Sequence, residues 1–281
     1  MTRRKKCYER AGARFPRVAA AVAVGFWLCA SATGARAAEP SRPTEPSRAA
    51  EPAPADSFHA ASAVPGDSID AAMSRRVDVH FTPLPDTMLV RMLRQGGLVL
   101  AFRHANTDMS QQDSDVWNLA NRATQRNLTE TGRANATNVG RAIGALGIPI
   151  GVVRSSPFWR CRDTATLAFG RCDTTSALYS KGPAFKRARW ILLTTAPAPG
   201  RNDVLVTHQD ALLPLTTLKR DELQESEALI VEPRGPTRGF HVIAHVGPAD
   251  WLRLARSAGV TVTGLVPVPT PAAADSTSPK R

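Results

Sequence analysis

Two apolar, strand-like runs in this chain each end on a histidine. LVLAF over residues 98–102 leads into Arg103 and His104, and VLVT over 204–207 leads into His208. Ligands of open α/β sheets bind just beyond the carboxyl ends of the strands. Two strands that finish this way can bring two imidazoles into one crevice, with an arginine beside them. An imidazole nucleophile among cationic donors suits phosphoryl transfer, whose catalysis is mostly positioning and charge stabilisation.

The elements that must position these residues alternate between strand and helix. The 98–102 run is apolar throughout, as a strand buried on both faces requires. Thr129 can cap a helix that opens on Glu130, carries Val139, Ala142, Ile143 and Leu146 at helical spacing, and stops at Gly147. Residues 151–153 read as a second strand. Ser156 and Pro157 read as an N-cap and first helical residue, opening a helix that runs to Phe169 and stops at Gly170. A weaker helix over 183–193, a strand over 203–207, a hairpin over 228–231 and 240–246, and a closing helix over 248–256 complete the pattern. Trp251 and Leu252 of that last helix should face inward. This order argues a three-layer α/β/α sandwich with a mostly parallel central sheet. The polar stretch from Ala105 to Asn127 is long for a βα connection and is expected to fold over the site. Trp117, Trp159 and Trp190 read as core or lid packing.

The chain has 281 residues and a formal charge of +12. Seven basic residues against Glu9 in residues 1–17, the apolar run VAAAVAVGFWLCA over 18–30, and the Ala35-Arg36-Ala37 triplet have the order of a secretory signal peptide. Residues 1–37 supply +7 of the charge, so the chain expected after cleavage carries about +5. The basic balance therefore belongs largely to export, and no nucleic-acid partner is expected. Nor is a stable membrane span after cleavage, because the apolar run is short for one. Residues 38–69 are built from Pro, Ala, Ser and Glu and read as a disordered spacer; 70–265 read as one domain, and 266–281 as a disordered tail. The implied location is periplasmic or secreted. Of four cysteines, Cys7 and Cys29 leave with the leader; Cys161 and Cys172 remain where a disulfide is permitted, provided the chain folds back far enough to join them. No C-x-x-C pair indicates a zinc or redox site.

Four segments carry a resemblance. Arg103-His104-Ala105-Asn106-Thr107 resembles the R-H-G-E-T signature of the histidine phosphatase superfamily, which is phosphoglycerate mutase-like in fold. RNLTETGR over 126–133 resembles its "L-T-x-x-G" helix opening, SSPFWRCRDTA over 155–165 its "S-S-P-x-x-R-A-x-x-T-A" helix, and VTH over 206–208 the strand that ends in a second catalytic histidine. The likeness runs from about 98 to 254. It implies an enzyme, a phosphoric monoester hydrolase without metal or cofactor, in which His104 attacks phosphorus and becomes a phosphohistidine. Arg103 and Arg160 would grip the phosphoryl oxygens, since forked guanidinium donors match phosphate, and His208 would steady the transition state. Arg126, Asn106 and Thr107 are candidates for substrate contact, Arg126 at even odds with a structural salt bridge. The late segments ESEALIVEP and PADWLRLA look like an exported branch that includes lipopolysaccharide core heptose phosphatases, which implies a small phosphomonoester substrate such as an envelope phosphosugar.

Two departures stand out. Ala105 replaces the usual glycine, which asks only that its φ stay negative. The acid that would protonate the leaving group is missing from the segment where the mutase branch carries it: residues 174–202 hold no Asp or Glu. Asp108 is the first candidate for that role, Asp210 the second and Glu227 the third. The rival reading is a non-catalytic phosphate or phosphosugar binder that kept the pocket and lost the acid. His241 and His245 alternate onto one strand face without an evident third metal ligand, so no metal site is assigned.

Overall fold

The computed structural model describes residues 68–269. The expected leader, most of the spacer and the end of the tail lie outside the described residues. Ordered contacts lie at both ends of the described residues. Ser68 already caps a helix by accepting the Ala71 N–H, and Val266 exchanges two hydrogen bonds of 2.8 Å with the Asn138 amide.

In chain order the elements are α1 (Ile69–Ser74), α2 (Asp86–Gln95), β1 (Val99–Arg103), α3 (Glu130–Ala145), β2 (Ile150–Ser155), α4 (Trp159–Phe169), β3 (Asp173–Thr174), α5 (Pro183–Thr194), β4 (Asn202–Thr207), α6 (Gln209–Leu212), β5 (Ala228–Pro233), β6 (Phe240–Val246) and α7 (Pro248–Ser257). The strands form one sheet in the order β3-β2-β4-β1-β5-β6. β3, β2, β4 and β1 are mutually parallel; β5 is antiparallel to β1 and β6 to β5, so β5 alone is reversed.

The apolar run of β1 is buried on both faces. Leu100 and Phe102 point into a core built from α2, α3, α4 and α7, while Val99 and Ala101 point into a second core with α1 and α5. β4 alternates in the same way, with Val204 and Val206 on the first side and Leu205 on the second. The result is the three-layer sandwich expected from the pattern, each large buried aliphatic contributing roughly 1.5–3 kcal/mol. Among the described residues no helix is long and apolar enough to cross a membrane.

One local reading changes: helix α4 begins at Trp159 with Phe158 as its cap residue, rather than at Pro157 with Ser156 as the cap; the Ser156 hydroxyl is engaged by His208 instead. Trp117 is exposed, whereas Trp190 is core. Cys161 and Cys172 are both free thiols.

The Leu-Thr-x-x-Gly segment has a clear purpose. Thr129 caps α3 by accepting the Gly132 N–H at 3.0 Å, and its own N–H donates to the Asn106 carbonyl at 3.0 Å. A Cβ at position 132 would lie 2.1 Å from that same carbonyl oxygen. Glycine there lets α3 press against the backbone that leaves β1. Gly132→Ala should therefore cost about 1–3 kcal/mol of stability, read as a lower Tm; an unchanged Tm would show that the loop after His104 yields freely.

Candidate active site

The parallel pairing of β1 and β4 sets Arg103 opposite Thr207, and the His104 N–H donates to the Thr207 carbonyl at 3.0 Å. The two histidines therefore leave the sheet side by side, their ring centroids 5.3 Å apart and inclined at 64°. β2 ends at the same edge, where the Ser156 N–H donates to the Val206 carbonyl at 2.9 Å. The segment after β2 brings in α4 and Arg160. His104, His208, Arg103, Arg126 and Arg160 all line one cavity of about 440 Å³, with Asp113, Phe158, Tyr179, Lys181, Asp210, Arg220 and Asp221 around them.

His104 is buried, and its Nδ1 lies 3.0 Å from the Ala105 carbonyl oxygen. A carbonyl can only accept, so Nδ1 carries the proton and the Nε2 lone pair is left free. Ala105 keeps a negative φ, since Asp221 and Ser226 alone among the described non-glycine residues have positive values. Burial holds the His104 pKa well below its ordinary value, reinforced by the charges of Arg160, Arg103 and Arg126 against the opposing effect of the Ala105 bond. His208 is depressed in the same direction by burial first, then by His104 and the three arginines. Its Nε2 lies 2.8 Å from the Ser156 hydroxyl and 3.5 Å from the Cys161 sulfur. Burial pushes the Cys161 thiol up to about 12, so it stays protonated.

The guanidinium groups of Arg103, Arg126 and Arg160 repel, and two carboxylates in contact with them offset the repulsion. The first is Glu225, which the sequence reading passed over. Its carboxylate lies 3.7 Å from Arg103 and 3.6 Å from Arg126, and it accepts the Thr107 N–H at 2.9 Å and the Thr107 hydroxyl at 2.7 Å. Beside it Ser226 adopts φ +73°, a conformation that costs a residue with a Cβ about 1–3 kcal/mol and fixes how this turn enters the cradle. No spacing rule marks Glu225, because its partners lie about 100 residues away. The second is Asp113, whose Oδ1 accepts from Arg160 at 2.9 Å and from the Arg126 backbone N–H at 2.9 Å. The Nε–H groups of Arg126 and Arg160 are buried with no acceptor among the described residues.

Several sequence candidates fall elsewhere. Asp108, the first choice for the acid, does not line the cavity. It is held below the usual carboxylate range by the Ser110 hydroxyl, then by the Ser110 N–H and the Gln111 amide, which outweigh slight desolvation. Glu227 pairs with His245 at 2.8 Å and is also outside the cavity. Asn106 and Thr107 do not line the cavity either: Asn106 accepts from Ser226 and Asn135 at 2.9 Å each, and Thr107 holds Glu225. Their polar groups are spent on scaffolding, not on substrate. Asp210 does line the cavity, bridged to Arg220 at 3.0 Å. His241 faces Glu232 at 3.8 Å, a different carboxylate from the partner of His245.

Residues 99–179 match the family model of the histidine phosphatase superfamily, branch 1. Over that segment the chain is similar to this superfamily. No curated protein matches it significantly. Among solved structures, it is similar to the protein histidine phosphatase SixA bound to tungstate (15% identity, 54% of this chain and 97% of that chain, TM-score 0.41). It is also similar to the SixA protein of Agrobacterium tumefaciens (20%, 54% and 99%, TM-score 0.38) and to a phosphoserine phosphatase variant of Entamoeba histolytica bound to phosphoserine (12%, 54% and 97%, TM-score 0.38).

Two expected outcomes follow from the charges in this cavity. Unfolded histidines protonate as the pH falls through about 6.5, whereas His104 and His208 resist protonation when folded. Because the unfolded state then binds more protons, ligand-free stability should decline as the pH drops below that value. Urea melts at pH 7.5 and 5.5 read this directly, and His208→Asn should flatten the difference; a wild-type profile already flat would contradict the burial argument. Glu225→Ala should cost about 1–2 kcal/mol, discounted from a fully buried pair because these contacts are long and partly solvated. Inorganic phosphate should raise the Tm of that variant more than that of the wild type, by supplying the missing negative charge. Equal increments would show that Glu225 does not offset the arginines.

Proposed function

We propose that this chain is an exported, metal-independent phosphatase that hydrolyses a small phosphomonoester through a phosphohistidine on His104. The likeness of residues 99–179 to the histidine phosphatase superfamily supports phosphatase chemistry in the broad sense. The observation that carries it is the setting of His104: its Nδ1 lies 3.0 Å from the Ala105 carbonyl oxygen, which leaves the Nε2 lone pair free, and it shares one cavity with Arg103, Arg126, Arg160 and His208.

In the first step the Nε2 lone pair attacks phosphorus, an N–P bond forms, and the P–O bond to the leaving group breaks. In the second, a water oxygen attacks phosphorus, the N–P bond returns its electron pair to Nε2, and inorganic phosphate leaves. Arg103, Arg126 and Arg160 supply the cationic charge that phosphoryl transfer requires. The Ser156 hydroxyl, by donating to Nε2 of His208, would leave the His208 proton on Nδ1, available to a phosphoryl oxygen.

The charged, apolar and A-x-A order of residues 1–37 supports export. A phosphorylated envelope sugar is the proposed natural substrate, supported by the ESEALIVEP and PADWLRLA segments.

The test is p-nitrophenyl phosphate hydrolysis by the purified chain, with and without EDTA, at pH 4–8. Turnover insensitive to EDTA is expected. His104→Ala should abolish it, together with covalent labelling by substrate phosphate, and His208→Ala should lower the rate about 10²–10³-fold. Phosphate binding without turnover at any pH would replace the enzyme with a binder, and a label that survives His104→Ala would move the nucleophile elsewhere.

A further inference from the structure

Three carboxylates line the cavity, Asp113, Asp210 and Asp221, and they differ in what surrounds them. The Asp210 side chain is 64% exposed and bridged to Arg220, itself exposed, at the rim. Asp221 is exposed and sits on a backbone with φ +75°. The Asp113 side chain is 25% exposed, and its partner Arg160 is 7% exposed. It is also the only one of the three that contacts a cradle guanidinium directly, at 2.9 Å. Its anchor to the Arg126 N–H, also 2.9 Å, fixes the carboxylate against that arginine's backbone. None of these contacts was legible in the sequence, where Asp113 is one polar residue in a long polar connection.

We infer that Asp113 is the proton donor to the leaving group and the acceptor from water in the second step. This rests on the phosphatase reading above. A phosphoryl group held by Arg160 must come to lie beside the Asp113 carboxylate. Two anions that share one guanidinium repel, and like charge at close range raises the proton affinity of a carboxylate. Substrate binding therefore recruits a proton from solvent onto Asp113. As the N–P bond forms and the P–O bond breaks, that proton passes to the leaving oxygen, giving the free alcohol and the Asp113 carboxylate. In the second step the carboxylate takes a proton from the attacking water while the N–P bond breaks. Asp113 is then ready to lose that proton as phosphate departs and the bond to Arg160 re-forms.

An acid matters in proportion to how poor the leaving group is, and this separates donation from mere positioning. The experiment compares phenyl phosphate with p-nitrophenyl phosphate for the full chain and for Asp113→Asn, Asp113→Glu and Asp210→Asn. General acid catalysis contributes about 10²–10⁴-fold. Asp113→Asn should thus lose about 10²-fold or more in kcat on phenyl phosphate and at least tenfold less than that on p-nitrophenyl phosphate. Asp113→Glu should recover part of the loss, and Asp210→Asn should reduce both substrates alike. For the wild type, kcat on phenyl phosphate should fall towards high pH on a limb that p-nitrophenyl phosphate lacks.

Equal loss on both substrates in Asp113→Asn would overturn the assignment and make Asp113 a positioning residue. A selective loss in Asp210→Asn would transfer the role to Asp210. Should Asp113→Asn fail to fold, Asp113→Glu carries the test, through a shifted high-pH limb on phenyl phosphate; an unshifted limb overturns the proposal. No wild-type turnover of p-nitrophenyl phosphate would remove the phosphatase reading itself, an outcome distinct from either loss pattern.

Discussion

The in-register parallel pairing of β1 with β4 is the constraint from which the rest of the molecule follows. Arg103 stands opposite Thr207, and the next peptide on β1 donates to the Thr207 carbonyl. A one-residue slip would turn every side chain of one strand to the opposite face. Leu100 and Phe102 would then enter the wrong core, so the hydrophobic alternation of both strands locks the register. The same lock sets the two imidazoles 5.3 Å apart. Core packing and site geometry are thus one requirement on this pair of strands, and the chemistry inherits its precision from apolar burial.

Electrostatics imposes the opposite demand. Three arginines around two depressed histidines would drive the cavity apart were nothing opposing them. Glu225 and Asp113 answer from two different connections, one at the turn before β5 and one in the long segment after β1. Each carboxylate also ties itself to backbone, Glu225 through the Thr107 N–H and Asp113 through the Arg126 N–H. The loops that close over the site are therefore held by the charges they neutralise. Removing the cradle's charge would loosen its walls, and loosening the walls would leave the charges unopposed.

What the sequence disclosed and what it hid divide along a physical line. Local order was legible: β1, β4, the Thr129 cap, the Gly170 stop and the late hairpin all follow from hydrophobic period and terminal residues. The convergence of His104, His208, Arg103 and Arg160 was legible too, because strand ends and one helix start fix it, whereas Arg126 stood open between a substrate contact and a salt bridge, and it both lines the cavity and faces Glu225. Ser156 was misread as a cap because its hydroxyl has a tertiary alternative in His208, which local rules do not see. Asp108 was ranked ahead of Asp210 and Glu227 on closeness to His104 in the chain, and Asp113 was not among the candidates. In the folded loop, Ser110 and Gln111 turn Asp108 into a local turn partner, and the chain comes back to the cavity five residues later. Glu225 opens the ESEALIVEP segment, but its role beside the arginines was not legible because its contacts are long-range throughout.

The depressed histidines bear on whether such a cavity binds or turns over. A site shaped only to hold a phosphate dianion would gain from two protonated imidazoles, since each adds a positive charge and a donor facing the anion. Here burial and three neighbouring arginines oppose that protonation, and the Ala105 carbonyl fixes the single remaining proton on the side of His104 away from its free nitrogen. This arrangement weakens anion binding relative to the protonated alternative and leaves a nucleophilic lone pair in its place. Neutral imidazole is a disadvantage to a receptor and a requirement for attack on phosphorus. The arginines then serve both ends: they offer cationic charge to an anion, and with burial they oppose protonation of the histidines.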